Sequence, residues 1–288
     1  MKYFFTVGEF DGALAEFLLS QGVSSRILTS LRKKPGLMLV NGKVAFSDCL
    51  VKTGDEVTID IIDKTADHEP YFEQQVNFLF EDEHLCVIDK PHGLASIETR
   101  LYYSKSLPNV LASKWGREFS YHPLNRLDKD TSGLMIVAKN SFAHSKLDAL
   151  LQNGGVKKSY LALVQGILPE KGVFDFPIGE KKGQLKRFVS VDGKTAVTSF
   201  VRVKKFKAAS LAEVSLLSGR THQIRLHFSH AGFPLLGDSL YGGDTSLISR
   251  QALHSAKLSF VHPFTQKFMT FESKLPDDID FAIKRLEV

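Results

Sequence analysis

The sequence predicts an α+β protein: a large body on a mixed or antiparallel sheet, preceded by a small α+β unit. Three observations predict it. Strand-like and helix-like stretches in the C-terminal two thirds alternate irregularly, unlike the repeated strand–helix units of a parallel sheet. Residues 10–62 show two short helical stretches followed by small strands. Between these parts lies a polar, acidic stretch, 63–77, which lacks periodicity, contains Pro70 and reads as a linker. With 288 residues, 43% of them hydrophobic, the chain can bury a real core, and intrinsic disorder is excluded.

The elements follow in order. ALAEFLLSQ (13–21) carries apolar residues at helical spacing, with Asp11 as its expected N-cap. Ser24 and Ser25 can cap a second helix, SRILTSLRKK, which Pro35-Gly36 stops. LMLVNGKVA (37–45) holds two extended runs around Asn41-Gly42, a strong two-residue hairpin signal. VKTGDEVTIDI (51–61) turns at Thr53-Gly54-Asp55 and ends as an alternating strand. Arg26, Arg32, Lys33, Lys34 and Lys43 cluster in this unit and would give it a basic face. In the body, FLFEDEHLCVIDKP (78–91) reads as two strands around an acidic turn. GLMIVAK (133–139) reads as a buried strand and SFAHSKLDALLQ (141–152) as an amphipathic helix. Strands are expected at YLALVQG (160–166), TAVTSFVRVKKF (195–206), AEVSLL (212–217) and KFMTFES (267–273). THQIRLHFSHAG (221–232) and DDIDFAIKRLEV (277–288) read as helices.

Composition narrows the function classes. Two cysteines, Cys49 and Cys86, exclude a disulfide scaffold and a cysteine-based structural zinc site. His222, His227 and His230 lack the four-residue separation of a helical zinc pair, so no metal is expected. No apolar run approaches the roughly 18 residues of a membrane span. The N-terminal stretch turns acidic too early for a signal peptide, so a cytoplasmic protein without a membrane partner is expected. The net charge of +5 is unevenly placed. Residues 1–66 hold 8 basic and 8 acidic residues, residues 67–98 hold 1 and 8, and residues 99–288 hold 28 and 16. The basic body fits a polyanionic partner, most often nucleic acid, and equally a solvated, lysine-rich surface.

Two segments could carry chemistry. HPLNRLDKDTSGLMIVAKN (122–140) places Arg126, Asp128 and a turn-forming Thr-Ser-Gly directly before a buried strand. A neighbouring arginine keeps a partly buried carboxylate ionised, and an ionised carboxylate can be a nucleophile, a base or a stabiliser of a sugar-like cation. A purely structural Arg–Asp pair fits this segment as well. LSGRTHQIRLH (217–227) presents Arg220 in a turn and Arg225 on the following helix, which suits carboxylate or phosphate binding or simply a basic helix face.

Taken together, several segments resemble, in order and spacing, the pseudouridine synthases of the large-subunit ribosomal RNA class, the RluA/RluD group. They are NRLDKDTSGLMIVAK (125–139), VKKSYLALVQG (156–166), LSGRTHQIRLH (217–227) and GFPLLGDSLYG (232–242) followed by ALHSAKLSFVHP (252–263). EDEHLCVIDKPHGL (81–94) resembles the opening hairpin of that domain. Residues 10–62, with the pattern VNGKVA…GD.V, resemble the alpha-L RNA-binding domain found in ribosomal protein S-four. The resemblance implies an alpha-L domain at 1–62, a linker at 63–77, and at 78–288 a synthase domain with a central cleft.

It also implies roles. Asp128 would be the nucleophilic aspartate, and Arg126 would fill the space left by a flipped-out uridine. Tyr160 would stack on the uracil, its hydroxyl assisting removal of the proton from carbon 5. Arg225 would pair with Asp128, Ile224 would contact the base, and Arg220 and His222 would hold phosphates. Arg32 and Lys33 would contact RNA from the small unit. The reaction breaks a carbon–nitrogen bond, turns the uracil and rejoins it through carbon, so no cofactor is implied. The implied partner is RNA, large-subunit ribosomal RNA ahead of transfer RNA, and the implied state a monomer. One departure is visible: Asn125 stands where this family usually carries His. Two other readings stay open, an RNA-binding assembly factor without activity and an RNA N-glycosidase. Asp238 reads as a structural partner in its Gly-Asp turn.

Overall fold

Asn41 and Gly42 both take positive φ, 49° and 75°, and fold Met38–Val40 back onto Lys43–Val44. That is the backbone a two-residue hairpin needs, and Asn-Gly supplies it at least steric cost. Met38–Val40 also pairs with Glu56–Asp60, and that strand pairs with Lys2–Thr6, all antiparallel. Two helices cover this sheet, α1 (Leu14–Ser20) and α2 (Ser25–Leu31), and bury Leu14, Phe17, Leu18, Ile27, Leu28 and Leu31 against Val57 and Ile59. Ser24 caps α2 as expected, its hydroxyl accepting from the Ile27 N–H. Asp11 does not cap α1. It lies in Asp11–Ala13, paired with Leu50–Lys52, and strand pairing already directs the chain into the helix.

The computed structural model describes residues 1–287. Among them the body is built on a ten-stranded sheet. Its strands run in the order Lys171–Asp175, Val197–Lys205, Ala209–Leu216, Lys157–Gln165, Leu253–Val261, Ser132–Ala138, Leu85–Lys90 and Asn77–Glu81. His122–Pro123 and Phe268–Glu272 add to its inner strands. The pairing is antiparallel except where Ser132 and Gly133 meet His254 and Ser255 in parallel. The predicted mixed α+β architecture is therefore the observed one. Gly133 is required at the parallel contact: its φ is +110°, and a Cβ there would lie 2.3 Å from the Ser255 carbonyl oxygen. The body's helices are α3 (Leu107–Trp115), α4 (Ser141–Gln152), α5 (Gln223–His230) and α6 (Asp277–Leu286).

Leu253–Val261 and α3 are elements that the sequence pattern does not announce. The strand carries His254 and Ser255 at buried positions, which weakens its apolar pattern. Both polar groups are satisfied across the sheet, by the Ser132 hydroxyl (2.9 Å) and the Leu134 carbonyl (3.1 Å). Helix α3 starts at Ser106, whose hydroxyl and backbone N–H both donate to the Asn109 amide oxygen.

Segment 63–77 is bound along the body. Ala66–Asp67 pairs with Glu118–Phe119, and the buried His68 ring lies 2.9 Å from the Glu98 carboxylate. The small unit also shares its core with the body. Phe142 of α4, fully buried, packs edge-on against Tyr3 at 4.6 Å, and the Tyr3 hydroxyl donates to the Asn140 side chain. Replacing Phe142 by Ala is expected to lower the unfolding free energy by about 3–5 kcal/mol, read from urea denaturation, because the cavity opens where the two units meet.

Candidate active site

Residues 125–131 bridge His122–Pro123 and the wholly buried strand Ser132–Ala138. Three anchors hold this loop from behind. The Ser96 hydroxyl donates to the Leu127 carbonyl at 2.6 Å and accepts from the Leu127 N–H at 3.1 Å. The fully buried Lys90 ammonium donates to the carbonyls of Pro91, Leu94 and Lys129 at 2.8–3.0 Å. Arg250, forked onto Asp278, donates to the Asp130 carbonyl. Asn125 faces inward: its amide oxygen accepts from the Ile136 N–H at 2.9 Å. It therefore clips the loop to its own strand and presents no group to a ligand.

These anchors leave the Asp128 carboxylate half-buried at the surface of the body. Arg225 reaches it from α5, its Nη1 donating to Asp128 Oδ2 at 3.0 Å. The rest of the same guanidinium is forked onto Asp238, Nε to Oδ2 at 2.7 Å and Nη2 to Oδ1 at 2.8 Å. Asp238 is 1% exposed, so the fork is dry, the setting in which bidentate pairing is strongest. Burial would lower the Arg225 pKa, but the Asp238 bonds and the charges of Asp128 and Asp238 raise it above its ordinary value. The turn presenting Asp238 depends on Gly237, at φ +77°, where a Cβ would lie 1.9 Å from the Arg250 carbonyl oxygen.

Tyr160 comes from the far side of the intervening strand. Ser255 pairs with Gly133 on one flank and with Tyr160 on the other. Tyr160 and Ile224 belong to one apolar cluster and are 5% and 4% exposed. Burial, with the Asp128 charge adding to it, pushes the Tyr160 phenol up to about 12. It is a neutral phenol across the physiological range, a flat apolar face with a hydroxyl.

The other residues singled out in the sequence divide into two sets. Arg126, two residues before Asp128, and Arg220, in the turn before α5, are exposed, and Arg32 and Lys33 are exposed beyond the end of α2. His222, expected as a phosphate holder, is instead enclosed. Its Nε2 lies 3.8 Å from Asp128 Oδ2 and its Nδ1 3.1 Å from the Tyr241 hydroxyl. Lys90, Ser96, Tyr241 and Arg250 were not picked out as site residues. Lys90 closes the apolar run LCVIDK as its single lysine, and Tyr241 lies in the segment GFPLLGDSLYG.

A family profile described as RNA pseudouridylate synthase matches residues 84–230, which contain Asp128, Tyr160 and Arg225. The chain is 39% identical to the "Uncharacterized RNA pseudouridine synthase YjbO" of Bacillus subtilis, over 97% of this chain and 98% of that one. The chain belongs to the RNA pseudouridine synthase family. It is accordingly a pseudouridine synthase, an isomerase. It is also 36% identical to the "Ribosomal large subunit pseudouridine synthase D" of Pseudomonas aeruginosa, over 88% of this chain and 85% of that one. Among solved structures it resembles "Human RNA Pseudouridylate Synthase Domain Containing 4", with a TM-score of 0.59 and 25% identity over 73% of this chain and 92% of that one.

Two outcomes follow for this synthase. Asp238→Asn removes the charge of a buried fork and is expected to cost about 3–5 kcal/mol of stability. It should also slow uridine conversion while RNA affinity, measured by filter binding, stays unchanged. Lys90 gives a pH signature. Burial pushes its ammonium down to about 7, against the pull of Asp130 and Asp128, whereas an unfolded lysine titrates near 10.5. Between these values the unfolded chain binds more protons, so stability rises with pH through that window, and the burial penalty is full below it. Denaturant unfolding at pH 7 and pH 9.5 should show this rise in the wild type and a smaller one in Lys90→Met.

Proposed function

We propose that this synthase converts specific uridines of large-subunit ribosomal RNA to pseudouridine, with Asp128 as the reacting carboxylate and the target base flipped out of its stack. The observation that carries the reading is the grouping of three side chains. A half-buried carboxylate is held by a buried arginine, and Tyr160, with Ile224 in the same apolar cluster, lies across the neighbouring strand. The ribosomal target rests on relatives such as the Pseudomonas aeruginosa "Ribosomal large subunit pseudouridine synthase D", and with it goes a cytoplasmic site of action. The chain is taken to act as a monomer.

The chemistry needs little more than this grouping. The bond from ribose carbon 1′ to uracil nitrogen 1 breaks, and a bond from carbon 1′ to carbon 5 forms. Carbon 5 loses its proton and nitrogen 1 gains one, so nothing is oxidised and no group is imported. Asp128 supplies a carboxylate to the ribose, either attacking carbon 1′, as retaining glycosidases do, or taking the 2′ proton. Arg225 keeps that carboxylate oriented and ionised. Flipping costs a few kcal/mol. Stacking on Tyr160 returns about 1–3 kcal/mol, and Arg126 fills the vacated space. The remaining cost is met by phosphate contacts from Arg220 and the basic body. On this reading residues 1–62 are an RNA-binding domain using Arg32 and Lys33, 63–77 tether it, and 78–288 form the synthase domain.

Tritium release from carbon-5-labelled transcripts tests the reading, with large-subunit rRNA, small-subunit rRNA and bulk tRNA run side by side. Release from large-subunit rRNA is expected with the wild type, and a fall of at least about 10³-fold with Asp128→Asn. Release from tRNA alone would reassign the substrate, and full activity in Asp128→Asn would remove Asp128 from the reaction.

A further inference from the structure

The two oxygens of Asp128 are held unequally. Arg225 Nη1 and His222 Nε2 both address Oδ2, at 3.0 Å and 3.8 Å. Neither addresses Oδ1. Behind His222 the contacts continue outward. The Tyr241 hydroxyl lies 3.1 Å from His222 Nδ1 and accepts the Arg187 backbone N–H at 2.8 Å. That hydroxyl's own proton goes to Nδ1 in preference to the Arg187 carbonyl because Nδ1 is nearer, at 3.1 Å against 3.5 Å. An imidazole that accepts at Nδ1 carries its proton on Nε2 when neutral, facing the carboxylate. Burial lowers the His222 pKa and favours that neutral form, although Asp128 pulls the other way. The His222 backbone is itself held at φ +57°, a region few side-chain-bearing residues adopt.

The outer end of this line is charged. Arg187 closes the exposed loop Lys181–Arg187, which also carries Lys182 and Lys186. The Lys186 ammonium lies 5.3 Å from the centre of the Tyr241 ring, and the Arg225 guanidinium 5.2 Å from it. Tyr241 therefore touches the loop, the histidine and the arginine at once, and it is 4% exposed.

We propose that Tyr241 and His222 are positioning residues that connect the basic loop Lys181–Arg187 to Asp128, so that RNA held on the loop sets the carboxylate with Oδ1 turned toward the ribose. This rests on the RNA-modifying reading above. RNA phosphates fix the loop, and the loop fixes the Arg187 N–H. That N–H directs the Tyr241 hydroxyl, which selects the His222 tautomer. His222 then turns its Nε2–H toward Oδ2, 3.8 Å away and one short shift from a hydrogen bond, leaving Oδ1 as the reacting oxygen.

The test separates kcat from KM on the RNA that the wild type converts. Tyr241→Phe, which removes one oxygen, is expected to lower kcat about tenfold with KM changed less than about twofold. His222→Ala should lower kcat further, and His222→Gln, whose amide can donate from the same region, should recover at least about tenfold of that loss. A double-mutant cycle reads the connection. Converting Lys181, Lys182 and Lys186 together to Gln should lower kcat as well as raise KM in the wild type, but only raise KM in Tyr241→Phe. The idea is overturned if Tyr241→Phe, folded by thermal melt, keeps wild-type kcat. Purely additive kcat effects in the cycle would overturn it equally. Failure of the wild type to convert any RNA would instead bring down the functional reading on which it rests.

Discussion

One guanidinium holds the site together. Arg225 is buried and forked onto Asp238, and only after that fork is made does its remaining nitrogen point at Asp128. A single cation thus faces two carboxylates, a balance that works only because Asp238 is dry and fixed while Asp128 stays partly open to solvent. A lysine could not reproduce it, since one ammonium lacks the planar set of donors that satisfies both partners in fixed directions. The arrangement gives the carboxylate a defined orientation before any ligand arrives.

That geometry depends in turn on close backbone approach at two points. Gly133 lets the strand behind Asp128 touch Ser255 in parallel register, and Gly237 lets the Asp238 turn press against Arg250. Because Ser255 pairs with Gly133 on one side and Tyr160 on the other, the carboxylate loop and the tyrosine are separated by one strand. The buried Lys90 works from below, tying three carbonyls of two loops into one rigid floor.

The periphery is built by different rules. Arg126, Arg220, Arg32 and Lys33 are exposed, and none of them is held in a buried ion pair as Arg225 is. The small N-terminal unit has its own helices and hairpin, yet Phe142 joins its apolar cluster from the body. Its basic residues are thereby carried on a surface whose placement follows from packing.

By itself the sequence determined the elements whose cause is local. Asn41-Gly42 could only be a tight hairpin, Ser24 was a cap, and the apolar run before Lys139 was a buried strand. Asp128, Tyr160 and Arg225 stood out only through the resemblance of their segments to the synthases, since the segments alone fit structural pairs as well. Only the tertiary structure decided what depends on partners distant in sequence. Asp238 had to meet Arg225 before its turn had a purpose, and His222, expected as a phosphate contact, is enclosed beside the carboxylate. Leu253–Val261 became the central strand because bonds from Ser132 and Leu134 made buried His254 and Ser255 tolerable. A polar group's cost on burial is set by its partner, and for His254 that partner, Ser132, lies 122 residues away.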